Sequence, residues 1–525
     1  MRKPKYKPYI QGQGMLPFTY DSIIPENHVV RIVNRIIDKY DTSSIDDTYS
    51  PLGAHSYDPK MMMKIILYGY VDKNFPSRQI AKAVRENINF MWLAGGNTPD
   101  FRTINRFRKQ KMASIIEPLF YEVIKVLIDM GYVSYENYFL DGTKIESAAN
   151  KNKAVWKKRV EYSEKQLMEN VRELLEKAQK ETDLENQKYG DHDLEELGED
   201  VDPSSLENFD AIAEDINEKV NKYPQNKTLR KIQKQINKDI LPRKKKIEKQ
   251  KEILAGRNSY SKTDPDATQF HMKDDQLNKG QPKPGYNVQI GTNNQFILFY
   301  SIHQDANDLN TLIPHMEEFK KLHGVYPEMV VADAGYGNLE NYRYLEEKGI
   351  KGCVKYPWFQ REQMKSFEKR TYDSQNWKYV ESEDKFICPQ DHDVTALEDI
   401  EEKTKNGFTN HIRVYRASGC STCPVRKECC KGKNNRRLYV NWAWEKEKSK
   451  ARDILLSDEG KWLRGRRCAE VENVFGQTKG NAGFKRFHLR GMENVTLEWG
   501  LVCLGHNIRH LSSLENAKNN RKQEK

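Results

Sequence analysis

The chain has 525 residues, of which 31% are charged and 37% hydrophobic, and its formal net charge is +11. This balance is typical of a folded chain of several domains, and it excludes a short disulfide-stapled scaffold and a disordered polymer. No run approaches the roughly 20 apolar residues that span a bilayer, and no apolar segment follows the basic first residues. We therefore expect a cytoplasmic protein, whose positive charge is compatible with a polyanionic partner and also with an ordinary basic surface.

Residues 1–130 predict a bundle of short helices. Residues 15–40 place apolar side chains at helical spacing after Pro25, and the segments between Asp58 and Lys111 begin near prolines. Such a bundle is typical of helix-turn-helix regions, so we expect it to bind DNA ends; a structural cap with a solvated basic face is the alternative. The candidate DNA contacts here are Arg78, Lys82, Arg85, Arg102, Arg106, Arg108 and Lys109.

The next region predicts a strand followed by a long insertion. The strand carries Asp141 directly after three apolar residues. Residues 154–255 then show near-heptad apolar spacing on a charged background, which predicts an antiparallel helical hairpin with an acidic connection at 190–205. A hairpin of this kind could also be a scaffold for protein assembly.

Residues 256–357 predict alternating strands and helices. Alternation between Tyr286 and Tyr300 predicts a β-hairpin, and a later apolar strand ends at Asp333. A cysteine-containing insertion follows at 358–455, then a core helix at about 462–479 and a basic tail at 516–525.

Three acids occur where this pattern could bring them together. Asp141 and Asp333 end strands, and Glu472 lies beside the apolar face of the last core helix. Three carboxylates from two strands and a helix can hold two divalent cations about 4 Å apart, an arrangement that suits phosphodiester chemistry and Mg²⁺. For each acid alone, a turn or helix cap is the stronger interpretation.

Several longer motifs resemble those of bacterial insertion-sequence DDE transposases, whose catalytic domain has a ribonuclease H-like fold. The N-terminal helical stretches are also similar to the leading region of that family, so the resemblance extends over nearly the whole chain. The motifs are YFLDGTKIESAANK, KPGYNVQ, VVADAGYGNLENYRYLEEKGI and VENVFGQTKGNAGFKRFHLRGMENVTLEWGLVCLGHNIRHL.

The resemblance implies a mixed α/β fold, with a ribonuclease H-like catalytic core formed by residues 131–153, 256–357 and 456–515. It implies Asp141, Asp333 and Glu472 as catalytic acids and ligands of two Mg²⁺ or Mn²⁺ ions. A related family pattern has an arginine four residues before the glutamate, where this chain has Cys468. The DNA contacts that we expect near the site are Arg467, Lys479, Lys485, Arg486 and Arg490.

The function implied is that of a DNA transposase. Such a protein would bind the terminal repeats of its own element, most simply as a homodimer, and would cut and join DNA to a target. A ribonuclease H-like nuclease without strand transfer is one alternative. A catalytically silent DNA-binding protein is another, although all three acids are present.

Five of the eight cysteines lie between residues 388 and 430. A reducing compartment disfavours disulfides, and a Cys-x-x-Cys step with two more thiolates would close a tetrahedral structural zinc site. The predicted zinc ligands are Cys388, Cys420, Cys423 and Cys429. His392 could replace one of them, and reduced thiols in a small subdomain are the alternative.

Overall fold

The structure, a computed structural model, describes residues 19–46, 56–189, 209–272, 280–368, 370–404, 406–430 and 432–523. The chain forms two compact units. The first comprises residues 1–143, 287–489 and 493–525, and the second comprises 144–286 and 490–492. The start of the predicted N-terminal region, the predicted acidic connection at 190–205 and the last two residues of the basic tail lie outside the described residues.

The described part of the chain is a mixture of helices and strands. The α-helices are α1 Tyr20–Ile23, α2 Val29–Lys39, α3 Ser43–Asp46, α4 Pro59–Val71, α5 Ser77–Glu86, α6 Ile88–Ala94, α7 Phe101–Gln110, α8 Ile116–Asp129, α9 Lys157–Tyr189, α10 Phe209–Lys222, α11 Lys227–Gln235, α12 Leu241–Leu254, α13 Leu312–His323, α14 Leu339–Glu347, α15 Phe359–Glu362, α16 Lys365–Glu368, α17 Arg426–Cys429, α18 Trp442–Leu456, α19 Asp458–Arg466, α20 Asn473–Phe475 and α21 Met492–Gln523. The strands are β1 Asn137–Glu146, β2 Ala154–Trp156, β3 Ser259–Ser261, β4 Thr268–Phe270, β5 Lys283–Asn293, β6 Phe296–His303, β7 Met329–Ala332, β8 Lys351–Val354, β9 Lys378–Val380, β10 Lys385–Ile387, β11 Asp393–Lys403, β12 Thr409–Ala417 and β13 Arg437–Val440. The mixed α/β class predicted from the sequence is thus confirmed, and no helix within the described ranges has the length and apolar character needed to cross a membrane.

The first unit contains the N-terminal helices. Side chains of Asp58, Asn87 and Asp100 accept hydrogen bonds from the first turns of α4, α6 and α7, which fixes where these helices begin. Helix α4 is buried over most of its length because its sequence is apolar on nearly every side. The short helices α5 and α7 are amphipathic and pack against each other.

The first unit is organised around a sheet in the strand order β6–β5–β1–β7–β8. Strands β5 and β6 form the antiparallel hairpin that the alternation predicts, whereas β1, β7 and β8 run parallel. Because β1 and β7 are neighbouring parallel strands, Asp141 within β1 lies level with Asp333, which follows the last residue of β7.

Aromatic and amide side chains attach helices to this sheet. Phe319 of α13 packs on Tyr138 of β1 and Phe299 of β6, with ring centroids 5.0 and 5.9 Å apart. Asn507 of α21 binds both backbone groups of Ile297 at 2.8 Å, so the polar groups of strand β6 are satisfied at this point.

The second unit is mainly helical. One apolar core joins α9 with α10, α11 and α12, which agrees with helical arms predicted over residues 154–255. The second arm is not continuous, however: a π-helical turn at Ile236–Ile240 separates α11 from α12. Pro242 follows this turn and lacks the backbone N–H that a regular helix would use there, which accounts for the interruption.

The segment with most of the cysteines folds within the first unit as an antiparallel sheet in the order β13–β12–β11–β10–β9. Its small core contains Trp377, Phe386 and Tyr415, against which three cysteines pack. The charged outer face of β11 explains why alternation is weak in this part of the sequence.

The helix predicted at about 462–479 is several shorter pieces. Helix α19 ends at Arg466, a π-helical turn covers Cys468–Glu472, α20 is a single turn, and a second π-helical stretch covers Gly476–Asn481. A helical segment is therefore present where the sequence predicts a core helix, and it differs in containing π-turns, which apolar spacing does not distinguish from α-turns.

Candidate active site

Asp141 lies on β1 directly after the buried residues Tyr138, Phe139 and Leu140. Its side chain is 17% exposed and its Oδ2 is 2.9 Å from Arg467 Nη2. The apolar strand thus carries the carboxylate into a largely dry position at the edge of the sheet.

Asp333 follows the last residue of β7. Its Oδ1 accepts a hydrogen bond of 2.8 Å from the backbone N–H of Gly335, so it caps the short 3₁₀ turn that comes next. Its Oδ2 is 3.8 Å from Arg467 Nη2, and its side chain is 42% exposed. One carboxylate therefore serves both as a turn cap and as a member of the acid cluster.

Glu472 ends the first π-helical turn, and its Oε1 is 3.1 Å from Arg467 Nη1. Its side chain is 51% exposed. The neighbouring acid Glu470 faces elsewhere: it is buried, pairs with Arg466 at 2.8 Å and accepts the backbone N–H of Gln295. The same turn thus carries Glu470 as a buried carboxylate with a structural role and Glu472 as a carboxylate that faces solvent.

The three predicted acids therefore converge on a single guanidinium group. Arg467 is 10% exposed and contacts all three, although the sequence places it 326 residues from Asp141 and 134 from Asp333. We expected Arg467 to contact DNA; in the structure its positive charge lies among the carboxylates. Such a charge is what allows several buried or half-buried acids to remain close together.

The surroundings of Asp141 change the pKa of its carboxyl group. Burial, opposed by the attraction of Arg467 and assisted by the carboxylates of Asp333 and Asp308, raises the pKa of Asp141 to about 6. A carboxylate in this environment gains more from a nearby cation than an exposed one does.

Asp308 is a fourth acid that the sequence analysis did not identify. It begins a short 3₁₀ turn after β6, and its Oδ1 accepts hydrogen bonds from Asn287 at 2.8 Å and Gln289 at 2.9 Å. The sequence signal was weak, since an aspartate in a polar loop is usually a turn former. Asp308 is connected with the cluster because its charge is close enough to Asp141 to raise the pKa of Asp141.

The glycines beside the acids make room for the protein's own groups. A Cβ at Gly142 would lie 2.8 Å from Asp308 Oδ1 and closer still to Gln289 Nε2, and a Cβ at Gly337 would meet the backbone of Lys355. In the structure, Gly142 and Gly337 are needed for internal packing.

The basic residues that we expect to contact DNA lie in different surroundings. Lys479 donates to Thr143 Oγ1 at 3.1 Å, which puts its ammonium group on β1 two residues beyond Asp141. Lys485 and Arg486 are exposed, whereas Phe484 and Phe487 on either side of them are buried.

Arg490 belongs to the second unit. Its guanidinium donates to the backbone carbonyl of Ala148 at 2.8 and 3.0 Å, so it makes a contact within the protein at this position.

The oxygens of the acid cluster fit a divalent cation by their chemistry. Within the described ranges, no three His, Cys, Asp or Glu side chains are gathered closely enough to coordinate a metal directly. The guanidinium of Arg467 instead supplies the positive charge between Asp141, Asp333 and Glu472. An all-oxygen set that already surrounds one cation suits Mg²⁺ or Mn²⁺ better than softer metals.

The four cysteines predicted as zinc ligands border one small cavity of about 20 Å³, together with His392. Cys430 does not border it; its thiol lies 3.4 Å from the carbonyl of Asn434. All eight cysteines are free of disulfides. Among the residues that the structure describes, no group of three or more such side chains is arranged to hold a metal ion, so zinc binding stays a prediction.

Two family models match parts of the chain. One, described as a transposase DDE domain, matches residues 387–512, and the other, described as a transposase domain (DUF772), matches residues 18–110. The first match covers Glu472 and Lys479 but neither Asp141 nor Asp333. No curated protein and no solved structure matches the chain. The two matches, one towards each end of the sequence, make the chain similar to DDE transposases and agree with the resemblance that its longer motifs carry.

Proposed function

We propose that this chain is a transposase that cuts and joins DNA at the acid cluster of Asp141, Asp333 and Glu472. The observation that carries the proposal is the convergence of these carboxylates, from two strands and a helix, on the guanidinium of Arg467. The similarity to transposases implies DNA as the partner. Hydrolysis at the ends of the element, followed by strand transfer to a target, is the reaction we assign.

The strand order supports a ribonuclease H-like catalytic core. An antiparallel hairpin, β5 and β6, lies to one side of three parallel strands, β1, β7 and β8. Asp141 lies on β1, and Asp333 follows the adjacent strand β7. We propose residues 131–153, 256–357 and 456–515 as this core and residues 1–130 as the region that binds DNA ends. We further propose 154–255, 358–455 and 516–525 as the helical insertion, the cysteine-containing insertion and the basic tail.

DDE transposases generally use divalent metal ions, and we propose that Asp141, Asp333 and Glu472 hold two Mg²⁺ or Mn²⁺ ions here. When bound, such ions activate a nucleophile and stabilise the charge of the leaving oxygen. The protein's own contribution is to fix the three carboxylates: the strand positions Asp141, the turn at Gly335 orients Asp333, and Arg467 holds Glu472.

The half-exposed acids give the site an open side. Glu472 and Asp333 are 51% and 42% exposed, whereas Asp141 is nearly buried. A phosphodiester that approaches from solvent would therefore meet Glu472 and Asp333 first. Lys479, held at Thr143, is placed to attract its negative charge.

The test is a cleavage and joining assay with purified protein, Mg²⁺ and a duplex that carries an end of the element. We expect Asp333→Asn and Glu472→Gln to reduce cleavage by about 100-fold or more, because each removes a charged oxygen donor without changing the shape of the side chain. The matched control is Glu470→Gln, since Glu470 is on the same turn but pairs with Arg466.

Two results would contradict the proposal. Cleavage by Asp333→Asn at the wild-type rate would exclude this residue from catalysis. Cleavage by the wild type without any joined product, under conditions where the released 3′ hydroxyl is available, would favour a nuclease without strand transfer.

We also propose that the protein acts as a homodimer. Measurement of the mass of the protein bound to DNA tests this proposal.

A further inference from the structure

A second charged site lies on the N-terminal helices, away from the acid cluster in sequence. It is an open cavity of about 460 Å³ between the start of α5 and one side of α7. None of its lining residues is acidic. They are Pro76, Ser77, Arg78, Phe101, Arg102, Asn105, Arg106, Arg108 and His488.

Three arginines present uncompensated positive charge to this cavity. Arg78, Arg102 and Arg106 are exposed, and among the described residues none of the three pairs with a carboxylate. Arg78 and Arg102 are held by the ring of Phe101, whose centroid is 4.7 and 5.8 Å from their guanidinium carbons. Like charges gathered without an internal partner are stabilised by an external anion.

The floor of the cavity is rigidly built. Arg108 is 2% exposed, and it donates to Tyr70 Oη at 2.9 Å, to the carbonyl of Phe75 at 3.0 Å and to Asn105 Oδ1 at 3.1 Å. Its Nε is buried without a hydrogen-bond partner. A buried guanidinium with a donor left over is a feature that usually has a functional reason.

The same network fixes the histidine at the rim. Glu498 is fully buried, accepts a hydrogen bond from Tyr70 Oη at 3.2 Å and lies 3.0 Å from His488 Nδ1. It also accepts the backbone N–H of His488 at 2.9 Å. The buried negative charge thus compensates Arg108 beneath the cavity and leaves the three exposed arginines available at its mouth.

Helix α5 adds a further favourable field. Its N-cap is Pro76, which makes no side-chain capping hydrogen bond, and α5 has ten residues. The first residues of α5, Ser77 and Arg78, line the cavity, and the N-terminal end of a helix dipole favours negative charge. Guanidinium groups are donors that bind phosphate.

We propose that this arginine pocket binds backbone phosphates of the DNA and anchors it without reading its sequence. The assignment rests on the proposed function, in which DNA is the partner. It adds the place at which the N-terminal region would hold the DNA. The structure separates the basic residues of α5 and α7 into two groups: Arg78, Arg102, Arg106 and Arg108 border the pocket, whereas Lys82, Arg85 and Lys109 do not.

The test measures the binding of the full-length protein to two fluorescein-labelled duplexes of about 40 base pairs, one from an end of the element and one scrambled. The pocket variant is Arg102→Gln/Arg106→Gln. The matched control is Lys82→Gln/Arg85→Gln, which removes the same formal charge from exposed positions outside the pocket. Circular dichroism and thermal unfolding verify that both variants are folded.

We expect the pocket variant to bind both duplexes roughly 10-fold more weakly at about 150 mM salt, and the control to change affinity by much less. The slope of log affinity against log salt should become shallower by about 1.8 for the pocket variant. The reason is that each phosphate contact accounts for the release of about 0.9 counterions on binding, and the variant loses two such contacts. Equal losses on both duplexes are expected, since phosphate contacts carry no sequence information. If the double variant does not fold, Arg78→Gln provides the same comparison with half the change in slope.

Each other outcome is decisive. Wild-type protein that binds neither duplex overturns the proposed DNA partner and this pocket with it. Wild-type protein that binds while the pocket variant retains its affinity and salt slope overturns the pocket alone. Inorganic tripolyphosphate is the second probe: a pocket variant that loses only tripolyphosphate binding would reassign the site to a small phosphate ligand.

Discussion

Arg467 shows how one residue can depart from a family spacing and still be at the site. The related pattern has an arginine four residues before the glutamate, and this chain has exposed Cys468 there. The turn from Cys468 to Glu472 is π-helical. Residues five apart face the same side of such a turn, as residues four apart do in an α-turn. The additional residue therefore brings Arg467 to Glu472.

The substitution Arg467→Ala tests this arrangement without a catalytic readout. We expect it to lower the free energy of unfolding by about 2 kcal/mol in EDTA, because Asp141 and Asp333 lose their shared counter-charge. Added Mn²⁺ should raise the melting temperature of the variant more than that of the wild type.

The control for this comparison is Lys461→Ala, which removes a positive charge paired with Asp458 at the surface. Thermal unfolding of the three proteins with EDTA and with Mn²⁺ gives the result. Equal melting temperatures for wild type and Arg467→Ala in both conditions would show that the guanidinium does not stabilise the acid cluster.

A second prediction at the scale of a single residue concerns Gly142. We expect Gly142→Ala to reduce the free energy of unfolding by about 1–3 kcal/mol, since the added methyl group would overlap Gln289 and Asp308. Gly465→Ala is the matched control: it is helical, nothing lies within 4 Å of the added Cβ, and it should be neutral or stabilising. Urea unfolding measures both, and equal stability of the two variants would contradict the packing argument.

At the scale of elements, the cysteine-containing sheet is the clearest case of local folding. The Cys-x-x-Cys step lies between β12 and β13, and Cys388 follows β10. The sheet brings these thiols to one cavity with Cys429, and Arg436 donates to Cys429 Sγ at 3.1 Å.

We expect the purified protein to contain about one zinc ion per chain, and Cys420→Ser/Cys423→Ser to lose it, because four ligands close a structural site. Elemental analysis after dialysis measures the zinc content. Cys430→Ser is the control, since Cys430 does not border the cavity. Zinc-free wild-type protein, or the same content in the double variant, would favour reduced thiols instead.

At the scale of the whole molecule, the core of the first unit holds several neutral histidines. Burial lowers the pKa of His303 and His323 to about 4 and that of His506 to about 3, and it lowers the pKa of His315 strongly. Tyr138 Oη is 2.7 Å from His315 Nε2, and His506 Nε2 is 2.8 Å from the carbonyl of Gln295. Folding therefore keeps these rings neutral while water would protonate them at a pKa near 6.5.

This predicts acid lability. As pH falls from 6.5 towards 4, the unfolded chain binds protons that the folded chain does not, so the free energy of unfolding decreases. We expect a loss of at least about 3 kcal/mol by about pH 5, well before most carboxylates titrate.

Urea unfolding at a series of pH values measures this dependence. His411→Gln is the control, because His411 is exposed and should leave the slope unchanged. A stability that stays level between about pH 7 and pH 5 would contradict the neutral state of the buried histidines.

The sequence by itself determined the elements whose signal is local. The apolar runs before Asp141 and Asp333 predict strands, alternation predicts the β5–β6 hairpin, and near-heptad spacing predicts helices in the second unit. The three acids could be proposed because each stands at an element whose type is visible in its own neighbourhood. The longer motifs carried the resemblance to DDE transposases, with which the two matching family models agree.

Only the tertiary structure decided which side chains meet. Arg467 lies among acids 134 and 326 residues away, Asp308 approaches Asp141 from a turn with no distinctive sequence, and π-helical turns replace a regular helix. The arginine pocket depends on α5 and α7 packing side by side, and the shared thiol cavity depends on the pairing of β9 to β13. The physical reason is that hydrophobic periodicity records only which face of each element is buried. Contacts between distant segments follow from how those faces pack together.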